Sequence, residues 1–139
     1  MTVIQTPYVL AMVICDAIHR DPATGKHTVL GTFSTIGARA YPAEHPGMSV
    51  FIALTDGRGK TPLTLRLVSA DEDVTIVSAD AEIDFDDPRA VVELSVELKN
   101  IGLPRAGEYR LQLLCEDEPL MERRIIATHL KAGSNDPSD

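Results

Sequence analysis

The chain has 139 residues and a mass of 15.1 kDa, one domain's worth, which buries roughly two-thirds of its unfolded surface in a single core. Thirteen Lys and Arg against 21 Asp and Glu leave a net charge of −8. A field of that sign repels nucleic acid and anionic membrane, and the absence of Trp with three Tyr and three Phe argues against recognition by aromatic stacking.

In chain order, Tyr8 to Asp16 is a near-continuous apolar run whose length suits a central strand and falls far short of the roughly 20 residues of a membrane span. No basic n-region precedes it, so a cytoplasmic protein is expected. Arg20 to Lys26 is a polar turn. Lys26 to Ala38 is rich in β-branched residues and reads as one strand, with Gly31 and Gly37 marking a bulge or a close crossing. A connection with two prolines, Tyr41 to Gly47, leads to a third strand over Met48 to Thr55. The glycines of Asp56-Gly57-Arg58-Gly59 supply the positive φ of a hairpin turn.

Leu63, Leu65 and Leu67 alternate with Thr64 and Arg66 in a fourth strand. Asp71-Glu72-Asp73 turns the chain into a less regular fifth, Val74 to Phe85, which Asp86-Asp87-Pro88 stops. Val92, Leu94, Val96 and Leu98 alternate with Glu93, Ser95 and Glu97 as a half-buried strand. Asn100 to Gly107 reads as a crossover between sheets. The strand beginning at Tyr109 carries Leu111, Leu113 and Cys115 on one face, and a Tyr just after Gly107 suits a corner where the ring packs inward and the hydroxyl bonds upstream backbone. Glu116 to Pro119 turns the chain and Leu120 to His129 closes the domain. The pattern predicts an all-β fold, a single antiparallel β-sandwich of about seven or eight strands, immunoglobulin-like or C2-like. The domain is expected to span residues 1–130, with residues 131–139 as a flexible acidic tail.

The nucleophile elbow, the phosphate-binding glycine loop and the paired Cys-x-x-Cys and His-Glu-x-x-His motifs do not occur, so an enzyme is not expected. Alternating antiparallel strands would bring the loops Asp16 to Lys26, Asp56 to Lys60, Asp86 to Arg89 and Glu116 to Glu118 to one end. There Asp16, Asp56, Asp86, Asp87 and Asp117 could offer calcium some of the six to eight oxygens it takes, although Arg20, Lys26, Arg58, Lys60 and Arg89 lie in the same loops. Cys15, His19 and His27 could hold zinc or copper if His27 faced the other two across a hairpin. The simpler reading makes Cys15 and Cys115 buried free thiols, His19 and His27 exposed, His45 a loop residue and His129 a strand end.

The segments Ala11-Met12-Val13-Ile14-Cys15-Asp16, Leu30-Gly31-Thr32-Phe33, Val50 to Gly59 and Pro104-Arg105-Ala106-Gly107-Glu108-Tyr109, in that order, resemble a family of small bacterial proteins with a domain of unknown function. The resemblance covers Tyr8 to Thr128. It implies an immunoglobulin-like sandwich in the bacterial cytoplasm and brings no catalytic residue with it. The expected function is a non-catalytic interaction module without a cofactor, binding a protein partner or a second copy of itself. Its competitors are a calcium-dependent module at the acidic end and a small metalloenzyme or hydrolase on the same scaffold.

Overall fold

Alternating side chains sort themselves onto two sheets in the computed structural model, which describes residues 5–131. Among those residues lie nine strands: β1 (Tyr8–Arg20), β2 (His27–Thr32), β3 (Thr35–Ala38), β4 (Ala43–Thr55), β5 (Gly59–Ser69), β6 (Val74–Phe85), β7 (Val92–Leu103), β8 (Gly107–Cys115) and β9 (Glu118–His129). One sheet runs β2-β1-β4-β7 and is antiparallel; the other runs β3-β9-β8-β5-β6. The inward faces share one core, with Met12, Ile14, Val50, Ile52 and Leu54 from the first sheet meeting Leu63, Leu65, Leu67, Leu111, Leu113 and Ile125 from the second. Each such side chain contributes roughly 1.5 to 3 kcal/mol by leaving water. Apart from Lys131, the expected tail lies outside the described residues.

Three expectations are corrected. The segment Lys26 to Ala38 is two strands, because the chain leaves the first sheet after β2 and enters the second as β3. That raises the count to nine. The short β3 pairs parallel to β9, Thr35 opposite Ile126 and Ala38 opposite His129, so the second sheet is mixed instead of antiparallel. Finally, Asp56 to Gly59 joins strands of different sheets and is no hairpin turn. Asp56 (φ 62°) and Gly59 (φ 65°) take the left-handed conformation, while Gly57 is constrained by space, since a Cβ there would lie 2.2 Å from Cε2 of Phe85.

The crossover from β7 to β8 is shorter than expected, because β7 continues to Leu103. Asn100 (φ 53°) makes this possible. Leu98 faces the core two positions before it and Ile101 and Leu103 face the core after it, so the left-handed residue shifts the alternation by one. Pro46 lies opposite that kink in β4, beyond the end of the pairing with β1 at Cys15 and Ser49, where a missing N–H breaks no ladder to β1. The corner at Tyr109 has the expected geometry. The ring is 1% exposed and the hydroxyl donates to the Arg105 carbonyl at 2.6 Å.

β1 outruns its sheet. Val13 pairs with Phe51 and Arg20 pairs with His27. At about 3.3 Å per residue a straight strand would separate Val13 from Arg20 by roughly 23 Å. Yet the His27 ring lies 5.3 Å from Phe51, and its Nδ1 is 3.5 Å from Glu93 on β7. The arm formed by the end of β1 and by β2 therefore doubles back over the outer face of the first sheet. This explains why Cys15 and Ser49, which point away from the main core, are buried.

Candidate functional site

Four of the five carboxylates proposed for a metal share one end of the sandwich. The Asp56 N–H donates to the Pro88 carbonyl at 2.8 Å and Thr55 Oγ1 donates to the Ala90 carbonyl at 3.0 Å, which ties the loops carrying Asp56 and Asp86-Asp87 together. Thr6 Oγ1 donates to Glu118 at 3.2 Å, bringing the Asp117 turn to the same end as the start of β1. Glu116 (φ 47°) and Asp117 (φ 68°) give that turn the doubly left-handed conformation of a tight hairpin. Asp16 does not join them. It lies eight residues along β1 from Tyr8, about 25 Å from that end, with its carboxylate beside Gly31.

Sharing an end is not converging. Among the described residues no three His, Cys, Asp or Glu groups gather as a metal would need. Asp87 is held by Arg89, whose guanidinium (3.2 Å) and, to a lesser extent, backbone N–H (2.9 Å) pull its carboxyl below the usual range. Asp21, on the arm, is held low by the Thr24 hydroxyl at 2.7 Å and by the Ala23 N–H.

The histidines occupy separate settings. His19 is exposed, whereas His27, expected to be exposed as well, is 8% exposed in its side chain between Phe51 and Glu93. His45 stacks at a tilt on Phe33, and His129 meets Tyr41 edge to face. Both thiols are buried and free, and burial pushes each of them up. Cys15 Sγ donates to the carbonyls of Ser49 and Ala17, each at 3.4 Å.

The sheet edges differ more than the loops do. On the part of β1 that β2 does not cover, Arg123 of β9 donates to the Met12 carbonyl at 2.7 Å and the Phe33 N–H donates to that of Ile14. β3 offers four residues and β2 six. β7 is long but kinked at Asn100, and on its outer face Lys99 stands 3.7 Å from Glu97.

β6 stands apart. It pairs with β5 alone, in unbroken register from Val77 opposite Leu67 to Phe85 opposite Gly59, and among the described residues no hydrogen bond from another element reaches its outer edge. Ser78, Asp80, Glu82 and Asp84 are exposed, alternating with Ala79, Ala81, Ile83 and Phe85. Opposite them on β5 stand Arg66, Thr64, Pro62 and Lys60. Arg66 is engaged with Gln112 at 2.8 Å and Thr64 donates to Asp80 at 2.9 Å, so among these described residues Lys60, opposite Asp84, is the one cation across from the three acids. A shallow depression of about 360 Å³ runs past Pro62, Thr64, Asp80 and Glu82. The acidic row is not legible as a site in the sequence, because the alternation from Ser78 onward says which face is wet but not that the strand is terminal in its sheet.

The model of a family described as a family of unknown function, DUF6941, matches residues 10–128. Among solved structures, the chain is similar to an immunoglobulin-like protein of Pseudomonas aeruginosa, with 13% identity, coverage of 88% of this chain and 96% of that one, and a TM-score of 0.46. It is similar to the CARDB domain of a Pyrococcus furiosus protein in complex with di-metal ions, with 8% identity, coverage of 93% and 100%, and a TM-score of 0.43. A third similarity is to the alkylpurine DNA glycosylase of Pseudomonas fluorescens bound to DNA containing an abasic site analog, with 8% identity and a TM-score of 0.46. It covers 84% of this chain, which spans 30% of the glycosylase. No curated protein matches the chain.

Proposed function

We propose that this chain, which belongs to the DUF6941 family of unknown function, is a non-catalytic protein-interaction module. It is built on an immunoglobulin-like sandwich and docks its partner along the outer edge of β6. The observation that carries the reading is the contrast between edges. A guanidinium caps the Met12 carbonyl on the β1 edge, β2 and β3 are short, β7 is kinked, and the regular stretch of β6 keeps a row of free backbone donors and acceptors. Such a row is a template for another chain, and one left open over this length is where strand addition starts. The buried free thiols support a reducing, cytoplasmic setting.

The test places a photo-crosslinking amino acid at Ser78 on the exposed face of β6, with a control at Ser95 on β7, in the full chain expressed in its own cells. A defined adduct from Ser78 and none from Ser95 is the expected result. Adducts from Ser95 alone, or none from either in a protein that runs as a strict monomer, would overturn the reading.

A further inference from the structure

We infer that the segment received by β6 is extended and cationic, with Lys or Arg at alternate positions and small or β-branched apolar residues between them. This rests on the docking edge proposed above and names the chemistry of what docks there. An added strand places its side chains about 4.5 to 5.5 Å from those of β6 on the same face, where opposite charges attract and like charges destabilise. Along the regular stretch, Val77 to Phe85, that face presents Ser78, Asp80, Glu82 and Asp84, and Asp86 follows directly. Across from the acids β5 supplies one cation, Lys60, so their charge is left for a partner to neutralise.

A second copy of this chain does not fit the edge. Antiparallel self-pairing centred on Glu82 would set Glu82 against Glu82 and Asp80 against Asp84, and the net charge of −8 adds to that repulsion. The opposite face fixes the intervening residues. There Ala79 and Ala81 are half-buried and Ile83 and Phe85 are buried, and β7 runs nearby at the same rim, so small apolar side chains of an added strand would rest on small apolar neighbours. The backbone supplies the attachment and the alternating charge supplies the register and the choice of partner.

The experiment measures fluorescence anisotropy of a labelled nine-residue peptide alternating Lys and Val against the full chain. Three comparisons accompany it: the same peptide with Glu for Lys, the Lys peptide N-methylated at alternate residues to remove strand donors, and the protein variant Asp80→Lys/Glu82→Lys. Both substituted side chains are exposed, and an unchanged melting temperature confirms that the variant folds. The Lys peptide is expected to bind saturably, the Glu and N-methylated peptides to fail, and the variant to bind at least about tenfold more weakly. Absence of saturable binding at about 1 mM Lys peptide, equal binding by the variant, or retained binding of the N-methylated peptide would overturn the inference. If the Ser78 crosslink forms with a partner segment that is not basic, the cationic assignment falls and the docking edge stands. If neither crosslink nor peptide binding occurs, both fall.

Discussion

Gly57→Ala adds one methyl group where there is no room for it. The new Cβ would lie 2.2, 2.3 and 2.8 Å from Cε2, Cδ2 and Cζ of Phe85, against the roughly 3.5 to 4.0 Å at which carbons sit comfortably. Phe85 is 3% exposed and packed in the core, so its ring can recede only by disturbing other core side chains. Overpacking of this kind costs about 1 to 3 kcal/mol. Gly57 is not among the glycines with left-handed φ, so alanine is unstrained there, and the narrower unfolded ensemble returns about 0.4 to 1 kcal/mol. The net loss is about 1 to 2 kcal/mol, a fall in melting temperature of roughly 3 to 8 °C for a domain of this size. Urea unfolding measures it, and a cycle with Phe85→Leu locates the cause. In the leucine background, where the ring is gone, Gly57→Ala should lose most of its effect, because the three atoms nearest the new Cβ all belong to that ring. An equal loss in both backgrounds would refute the steric argument.

Tyr109→Phe keeps the buried ring and removes the 2.6 Å bond to the Arg105 carbonyl, so it should cost about 1 kcal/mol in urea unfolding; no change would mean that the corner is held by packing alone. Arg123→Ala bares the Met12 carbonyl on the β1 edge, and light scattering should show a larger mass for the variant than for the parent, while equal masses would show that the guanidinium does not guard that edge. Arg89 depresses the folded pKa of Asp87, so this carboxylate adds stability above its unfolded pKa near 4, and that stability is lost as pH falls through the folded value. Asp87→Asn should therefore flatten the acid limb of a melting-temperature profile, removing at neutral pH only the small contribution of an exposed pair; an acid limb as steep as the parent's would contradict the assignment. Millimolar calcium should leave the melting temperature unmoved, because the end-loop carboxylates do not converge; a rise abolished by Asp56→Asn/Asp86→Asn would restore that end as a cation site.

Strands whose two faces meet different solvents were legible from their period alone. Val92 to Leu98 and Tyr109 to Cys115 lie in β7 and β8, and the Tyr109 corner follows from a ring that must be buried and a hydroxyl that must be bonded. What failed was anything decided between segments distant in the chain. Period two holds through a change of sheet, so Lys26 to Ala38 reads as one strand, and it does not mark how far β1 runs, so Asp16 to Arg20 reads as part of a loop. The turn pattern around Gly57 points to conformational freedom, whereas its real constraint is the ring of a residue 28 positions later. The candidate site escaped for the same reason. Asp80, Glu82 and Asp84 are in plain view, but an acidic strand in mid-sheet and one at the rim have the same sequence, and only pairing tells them apart.

Amide hydrogen exchange of the full chain, with and without the alternating Lys peptide, tests the docking edge most directly. Outward-facing N–H groups within Val77 to Phe85 should exchange quickly in the free protein, since no described residue bonds them, while those bonded to β5 are protected. With the peptide, protection should rise at those outward amides alone, in alternation along the strand. Protection that appears instead around Asp56, Asp86 and Asp117, or outward amides of β6 that are already slow in the free chain, would contradict the assignment of β6 as the open edge.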